Sequence, residues 1–169
     1  IDLLVEAFSK LLLEYNDLFL VIVGADNDGY KNKIQDLLKS KLLLDKTLFT
    51  GILTGRDKMS AYVDSEVFVL PSYSENFAAA VTEAMAAGTP VVLSNKVGIY
   101  KDIKENNAGI IVNLNVQSLY QGIKSLLDNP ALAENCIKNA KVFVKERYDI
   151  NKVSDMMIKV YKNILTSHI

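Results

Sequence analysis

Two glutamates eight positions apart, Glu75 and Glu83, flank a run of mostly small side chains, Phe77-Ala78-Ala79-Ala80, that follows the turn-forming stretch Pro71-Ser72-Tyr73-Ser74. A helix opening close to residue 77 would aim unpaired backbone N–H groups and a partial positive charge out of its first turn, an arrangement suited to phosphate. Alanines there let a ligand oxygen approach the backbone nearly as closely as glycine would. Carboxylates do not bind phosphate, but as acceptors they can take both hydroxyls of a sugar or ribose diol. If both were helical they would project roughly 80° apart. With Glu75 in the loop, it can fold over the helix start while Glu83 leans back toward the same end. Exposed glutamates at such spacing are also common on ordinary surfaces, and Ala80, Ala84 and Ala87 would equally form the tight face of a helix packed on a sheet.

Other reactive side chains offer less. Asp26-Asn27-Asp28 has the D-x-D spacing that can hold Mn²⁺ or Mg²⁺ against a diphosphate. Asp28 is equally placed to cap a helix running from about Tyr30 to Leu44. The single cysteine, Cys136, reads as a small buried hydrophobe, and the single histidine, His168, falls in the last two residues. Neither supports a Cys/His metal site or a thiol nucleophile with a histidine base.

Composition narrows the function further. The 169 residues carry 19 basic against 20 acidic side chains, net −1, with 50% apolar and 23% charged residues. A chain of ~150 residues buries roughly 70% of its unfolded surface, so one compact domain over 1–169 is expected without disulfide or metal staples. Only Arg56 and Arg147 are arginines and there is no tryptophan, which removes the basic, arginine-forked face of a nucleic-acid binder. The longest apolar runs, such as Leu18 to Val23, fall far short of the ~20 residues of a bilayer span. The chain opens at Ile1 with no charged-then-apolar leader. A cytoplasmic segment of something longer is the expectation.

The elements that must position these residues follow from periodicity. Leu18–Val23, Val67–Leu70, Pro90–Leu93 and Gly109–Val112 are short, branched apolar runs that read as strands buried on both faces, with Thr47–Thr50 a weaker fifth. Helical spacing lies between them: Ile34, Leu37, Leu38 and Leu42; Met59, Tyr62 and Val63; Val81, Ala84, Met85 and Gly88. Such alternation implies right-handed crossovers and an α/β, Rossmann-like doubly wound parallel sheet of about five to six strands with helices on both faces. Leu3 to Tyr15 is already an amphipathic helix with no strand before it, so a strand is expected upstream. Beyond Val112 the pattern is helical only, at Val116–Leu127, Ala131–Tyr148 and Ile150–Leu165, giving a helical C-terminal tail.

In an open parallel sheet ligands bind beyond the carboxyl ends of the strands. The residues there are Gly24 to Gly29, Gly51 to Arg56, Pro71 to Phe77 and Ser94 to Gly98. With these in place, the chain resembles the C-terminal half of a family 4 glycosyltransferase of the GT-B fold, the large "group 1" family. The resemblance rests on Pro71 through Val92, which holds the E-x7-E signature of Glu75 and Glu83 followed by Glu83-Ala84-Met85-Ala86-Ala87-Gly88-Thr89-Pro90-Val91-Val92. Ile1 to Phe8, Leu20 to Gly24, Phe49-Thr50-Gly51, Val67 to Pro71 and Ala108 to Val112 support it, so nearly the whole length is covered.

The resemblance implies a donor-binding domain for a nucleoside diphosphate sugar, with retention of anomeric configuration, a hexose-type sugar, and a glycan, lipid or small-molecule acceptor. Glu75 is implied to contact the transferred sugar and Glu83 to hold the ribose hydroxyls. Backbone around Asn76, Phe77, Ala78 and Ala79 would face the diphosphate, and Gly51-Ile52-Leu53 would border the nucleobase, with Gly24 at the neighbouring strand end. No metal, other cofactor or enzyme nucleophile is implied. The family usually has E-G-F-G where Glu75-Asn76-Phe77-Ala78 stands, so the Ala78 Cβ would slightly crowd the phosphate cradle. The family's diphosphate-neutralising arginine and lysine fall before Ile1, which leaves Lys58, Lys96 and Arg56 as substitutes. The acceptor-binding half is also absent, so this chain alone is expected to transfer nothing, and any membrane contact would be peripheral and made by that half.

Competing readings are three. A metal-dependent D-x-D site would need Asp26 and Asp28 on a cation. A flavodoxin-like signalling or ligand-sensing module would need an aspartate where the Val67–Leu70 strand ends in Pro71-Ser72. A GT-B-related sugar-nucleotide epimerase or phosphorylase could share the cleft and change the chemistry.

Overall fold

The computed structural model describes residues 1–26 and 28–166; Asn27, the middle of the D-x-D triplet, and His168 lie outside the described residues. The elements run α1 (Asp2–Leu11), β1 (Leu20–Val23), α2 (Tyr30–Ser40), a 3-10 turn (Leu44–Lys46), β2 (Thr47–Gly51), α3 (Gly55–Val63) and β3 (Phe68–Leu70). They continue α4 (Ala79–Ala87), β4 (Val91–Ser94), α5 (Tyr100–Glu105), β5 (Ile110–Val112), α6 (Val116–Asp128), α7 (Pro130–Arg147) and α8 (Ile150–Thr166). All ladders are parallel: β1 on β2 with Leu20 opposite Thr47, β3 on β4 with Phe68 opposite Val91, and β4 on β5 with Val92 opposite Ile110. The expected α/β architecture is present, but among the described residues the five strands fall into a pair, β1–β2, and a triplet, β3–β4–β5, rather than one continuous sheet.

Strand period-2 alternation sorts side chains between layers. Phe68, Leu70, Val91, Leu93 and Ile111 face a core built with α3, α4, α5 and α7, while Val69, Val92, Ile110 and Val112 face one built with α1, α6 and the start of α7. Leu20 and Ile22 of β1 pack with α1 and α2 in a third cluster. Helix α1 joins the second and third: Leu4, Ala7 and Leu11 face the triplet side and Val5 and Phe8 the pair side, all buried. Burying each such Leu, Val or Phe contributes ~1.5–3 kcal/mol, so α1 holds the two strand sets in one body. Cys136 is 3% exposed in the second core, a small buried hydrophobe as its setting suggested.

Several expectations need correction. Only β4 is buried on both faces throughout; Val21 and Val23 of β1 are each 47% exposed, because α1 and α2 cover one face of β1 and leave the other half-open. Helix α2 stops at Ser40 instead of reaching Leu44. Leu42 takes a left-handed φ of 57°, and Leu43 N–H donates to Leu38 C=O while Leu42 N–H donates to Lys39 C=O, a closing turn that seats Leu43 on Leu38 and throws Leu42 into solvent. Of the apolar residues of α3, Tyr62 is buried but Met59 and Val63 are exposed. The tail helices match their expected spans closely, with Asn115 capping α6 through Ser118 N–H and Asn129 capping α7, whose first residue is Pro130, through Leu132 N–H.

Candidate functional site

Strand β3 ends at Leu70, and the chain runs through Pro71 and an exposed segment to α4, whose first residue is Ala79. Phe77 and Ala78 therefore precede the helix instead of forming its first turn. Ala78 is the N-cap in a left-handed conformation, φ 56° and ψ 65°, with its methyl buried, and no side chain caps the helix. The turn needs a positive φ to bring the chain from β3 into α4, a geometry that glycine adopts freely and alanine does not. Left-handed φ costs an alanine ~1–2 kcal/mol, against the ~0.4–1 kcal/mol that glycine loses through its freer unfolded state. Ala78→Gly should therefore raise stability by up to about 1 kcal/mol, read as a higher urea midpoint at unchanged slope; a lower midpoint would show that the methyl's packing outweighs the strain. The Phe77 ring meets Tyr148, at the C-cap of α7, edge-on at 5.2 Å.

The loop after β4 holds Glu75 in place. Gly98 N–H donates to Glu75 C=O at 2.8 Å, Glu75 N–H to Lys96 C=O at 3.3 Å, and Ser94 Oγ to Ser72 C=O at 2.6 Å, so Glu75 and Val97 form a one-residue parallel bridge. A Cβ on Gly98 would lie 2.0 Å from the Asn76 carbonyl oxygen. The Glu75 side chain is exposed and makes no hydrogen bond or ion pair among the described residues. Gly98 was visible in the sequence only as the end of a strand-end loop; its contact with Asn76 joins segments that no local pattern connects.

Glu83 faces α3. Its Oε1 is 2.8 Å from Lys58 Nζ and its Oε2 accepts from Tyr62 O–H at 3.0 Å. The hydrogen bond from Lys58, chiefly, holds the Glu83 carboxyl below its ordinary range, with a smaller lowering by Tyr62. Burial, and then the carboxylate beside it, push the Tyr62 phenol up to about 12, so it is a neutral donor. Lys58, expected beside a diphosphate, is instead paired with Glu83. Tyr62 was legible only as a core position of α3, since its polar tip acquires meaning from Glu83, 21 residues on.

Gly24 and Gly51 come together at the carboxyl ends of β1 and β2, Gly24 N–H donating to Gly51 C=O at 2.9 Å. They line a cavity of about 400 Å³ with Phe49, Tyr30 and Asp26; Glu75 and Glu83 do not line it. Ile52 is exposed beside it and Leu53 half-buried. Asp28 does not cap α2: the N-cap is Gly29 at φ 69°, and Asp26 Oδ1 accepts from Lys31 N–H at 3.2 Å, turning that acid toward the helix. Among the described residues no three His, Cys, Asp or Glu side chains group as metal ligands. No helix of the described residues is long and apolar enough to cross a membrane.

A family model, Glycosyl transferases group 1, matches residues 1–143, which hold all five parallel strands and both glutamates. The chain belongs to the group 1 glycosyl transferases. It is 31% identical over 163 residues to an uncharacterized glycosyltransferase of Methanocaldococcus jannaschii, MJ1607, covering 96% of this chain and 41% of that protein. This glycosyl transferase chain superposes on a glycosyltransferase from Rickettsia africae with a TM-score of 0.86 at 25% identity, over 96% of this chain and 44% of that one. It likewise matches Anabaena HepE, solved in complex with UDP-glucose, with a TM-score of 0.86 at 17% identity over 95% of this chain and 44% of that one. The chain spans about two fifths of the length of the curated relatives it matches, and its fold is that of a Rossmann-like half of GT-B glycosyltransferases.

Proposed function

We propose that this chain is the donor-binding half of a retaining glycosyltransferase that takes a hexose-type sugar from a nucleoside diphosphate sugar and passes it to an acceptor held by a preceding, acceptor-binding half. One observation carries the reading: the uncapped N-terminus of α4 opens just beyond the carboxyl end of β3, with Glu75 in the loop before it and Glu83 inside it. Backbone N–H groups at Ala79 and Ala80 supply the charge complement for a diphosphate, and Asn76, Phe77 and Ala78 shape its approach. Glu75 then meets the transferred sugar and Glu83 the ribose diol, while Gly24, Gly51, Ile52 and Leu53 border the base. A leaving diphosphate stabilised in this way departs as the acceptor hydroxyl attacks from the face it vacates, and its oxygen receives that hydroxyl's proton. The protein contributes positioning and electrostatic stabilisation, and in this proposal no metal ion and no enzyme nucleophile takes part.

Strand pairing supports the same division. Among the described residues β1 pairs only with β2 and β3 only with β4. A parallel strand feeding α1 by a right-handed crossover would enter between β1 and β3 and complete the order 3-2-1-4-5-6. The order reverses beside β3, where ligands bind in such sheets, and this is the strand that leads into Glu75. In the same proposal the protein is cytoplasmic, and any membrane contact belongs to the acceptor half.

Titrating UDP and GDP into ¹⁵N-labelled protein should shift amide resonances from Glu75 to Glu83 and those of Gly24 and Gly51. Flat titrations of both nucleotides at millimolar concentration would overturn the donor-site reading.

A further inference from the structure

Tyr62 is 9% exposed and fixed from two sides: its ring stands edge-on to Phe68 of β3, centroids 5.7 Å apart, and its backbone carbonyl accepts from Thr89 Oγ1, just after α4. Its hydroxyl thus has little freedom, and it donates to Glu83 Oε2. Lys58 holds the other oxygen, but from a flexible four-carbon stem that is 35% exposed. Each carboxylate oxygen can accept about two hydrogen bonds, so with one taken on each side, one acceptor position per oxygen remains for a diol. Tyr62 pins the carboxylate by one of these oxygens.

Resting on the reading of Glu83 as the group that meets the ribose, we propose that Tyr62 is a positioning residue for ribose recognition: its hydroxyl orients Glu83 so that both carboxylate oxygens face the 2′- and 3′-hydroxyls together. The phenol itself touches no ligand. Without it, Glu83 keeps its charge and its bond to Lys58 but can swing with that lysine, so the site loses its preference for a diol before it loses its attraction to a nucleotide.

Calorimetric titration of the full protein with UDP and GDP, and with their 2′,3′-dideoxy counterparts, tests this. The unaltered protein should bind the ribonucleotide at least about tenfold more tightly than the dideoxy form, the scale expected when hydrogen bonds to a charged acceptor are lost. Tyr62→Phe, which keeps the ring and its contact with Phe68, should weaken ribonucleotide binding about five- to tenfold and leave dideoxynucleotide binding unchanged. In a Glu83→Gln background the same change should have no further effect on that preference. Full retention of the ribose preference in Tyr62→Phe, or equal weakening toward both nucleotides, would overturn the positioning role, as would binding without any ribose preference in the unaltered protein. If neither UDP nor GDP binds, the donor-site reading itself fails, an outcome distinct from each of these.

Discussion

Substituting Gly98 by alanine should lower stability by about 2–4 kcal/mol, the combined expectation for overpacking and a lost backbone hydrogen bond. For a chain of this size that is a fall of roughly 5–15 °C in melting temperature. The added Cβ would sit 2.0 Å from the Asn76 carbonyl oxygen and 3.1 Å from its carbon, so backbone must move, and no flexible side-chain end is there to yield. The φ of Gly98 lies outside the left-handed region, so the constraint is space and not conformation. Displacing Asn76 also breaks the bond from Gly98 N–H to Glu75 C=O and the bridge to Val97. Circular-dichroism melting reads the first effect, and nucleotide titration reads the second as lost resonance shifts at Glu75 and Asn76. A variant that melts and binds as the original does would show that the loop after β4 does not position Glu75.

Glu75→Gln should reduce sugar transfer by the full protein by about 10²- to 10³-fold, the scale of removing one preorganised electrostatic contact, while leaving nucleoside diphosphate affinity close to its original value. The side chain is exposed and unpaired among the described residues, so the change disturbs no fold contact and its effect reports on the substrate alone. Glu83→Gln should behave differently. Its carboxylate is built into a three-residue cluster with Lys58 and Tyr62, so removing its charge should raise the donor KM with less effect on kcat. Transfer by Glu75→Gln within about threefold of the original would exclude a role at the reacting sugar, and identical kinetic patterns for the two variants would exclude their division of labour.

Much of this molecule is legible along the chain. The branched apolar runs at Val67–Leu70 and Pro90–Leu93 became parallel strands, and the three tail helices begin at Val116, Pro130 and Ile150, within a residue of where apolar spacing and the proline placed them. The E-x7-E segment was found because its meaning is local: one glutamate before a run of small residues and one within the helix they begin. Less legible were Leu42 and Val63, which fit an apolar face by spacing yet stand in solvent, because periodicity describes a helix and not where its neighbours end.

By itself, then, the sequence determined the α/β alternation and the place of the two glutamates before and within α4, since each follows from residue type and short-range spacing. Tertiary structure alone decided that Lys58 and Tyr62 grip Glu83, that Gly98 lies against Asn76, and that the strands divide into a pair and a triplet joined through α1. These depend on which distant segments the crossovers bring side by side, and the energy of such contacts comes from close packing and desolvated hydrogen bonds that exist only once the layers have closed.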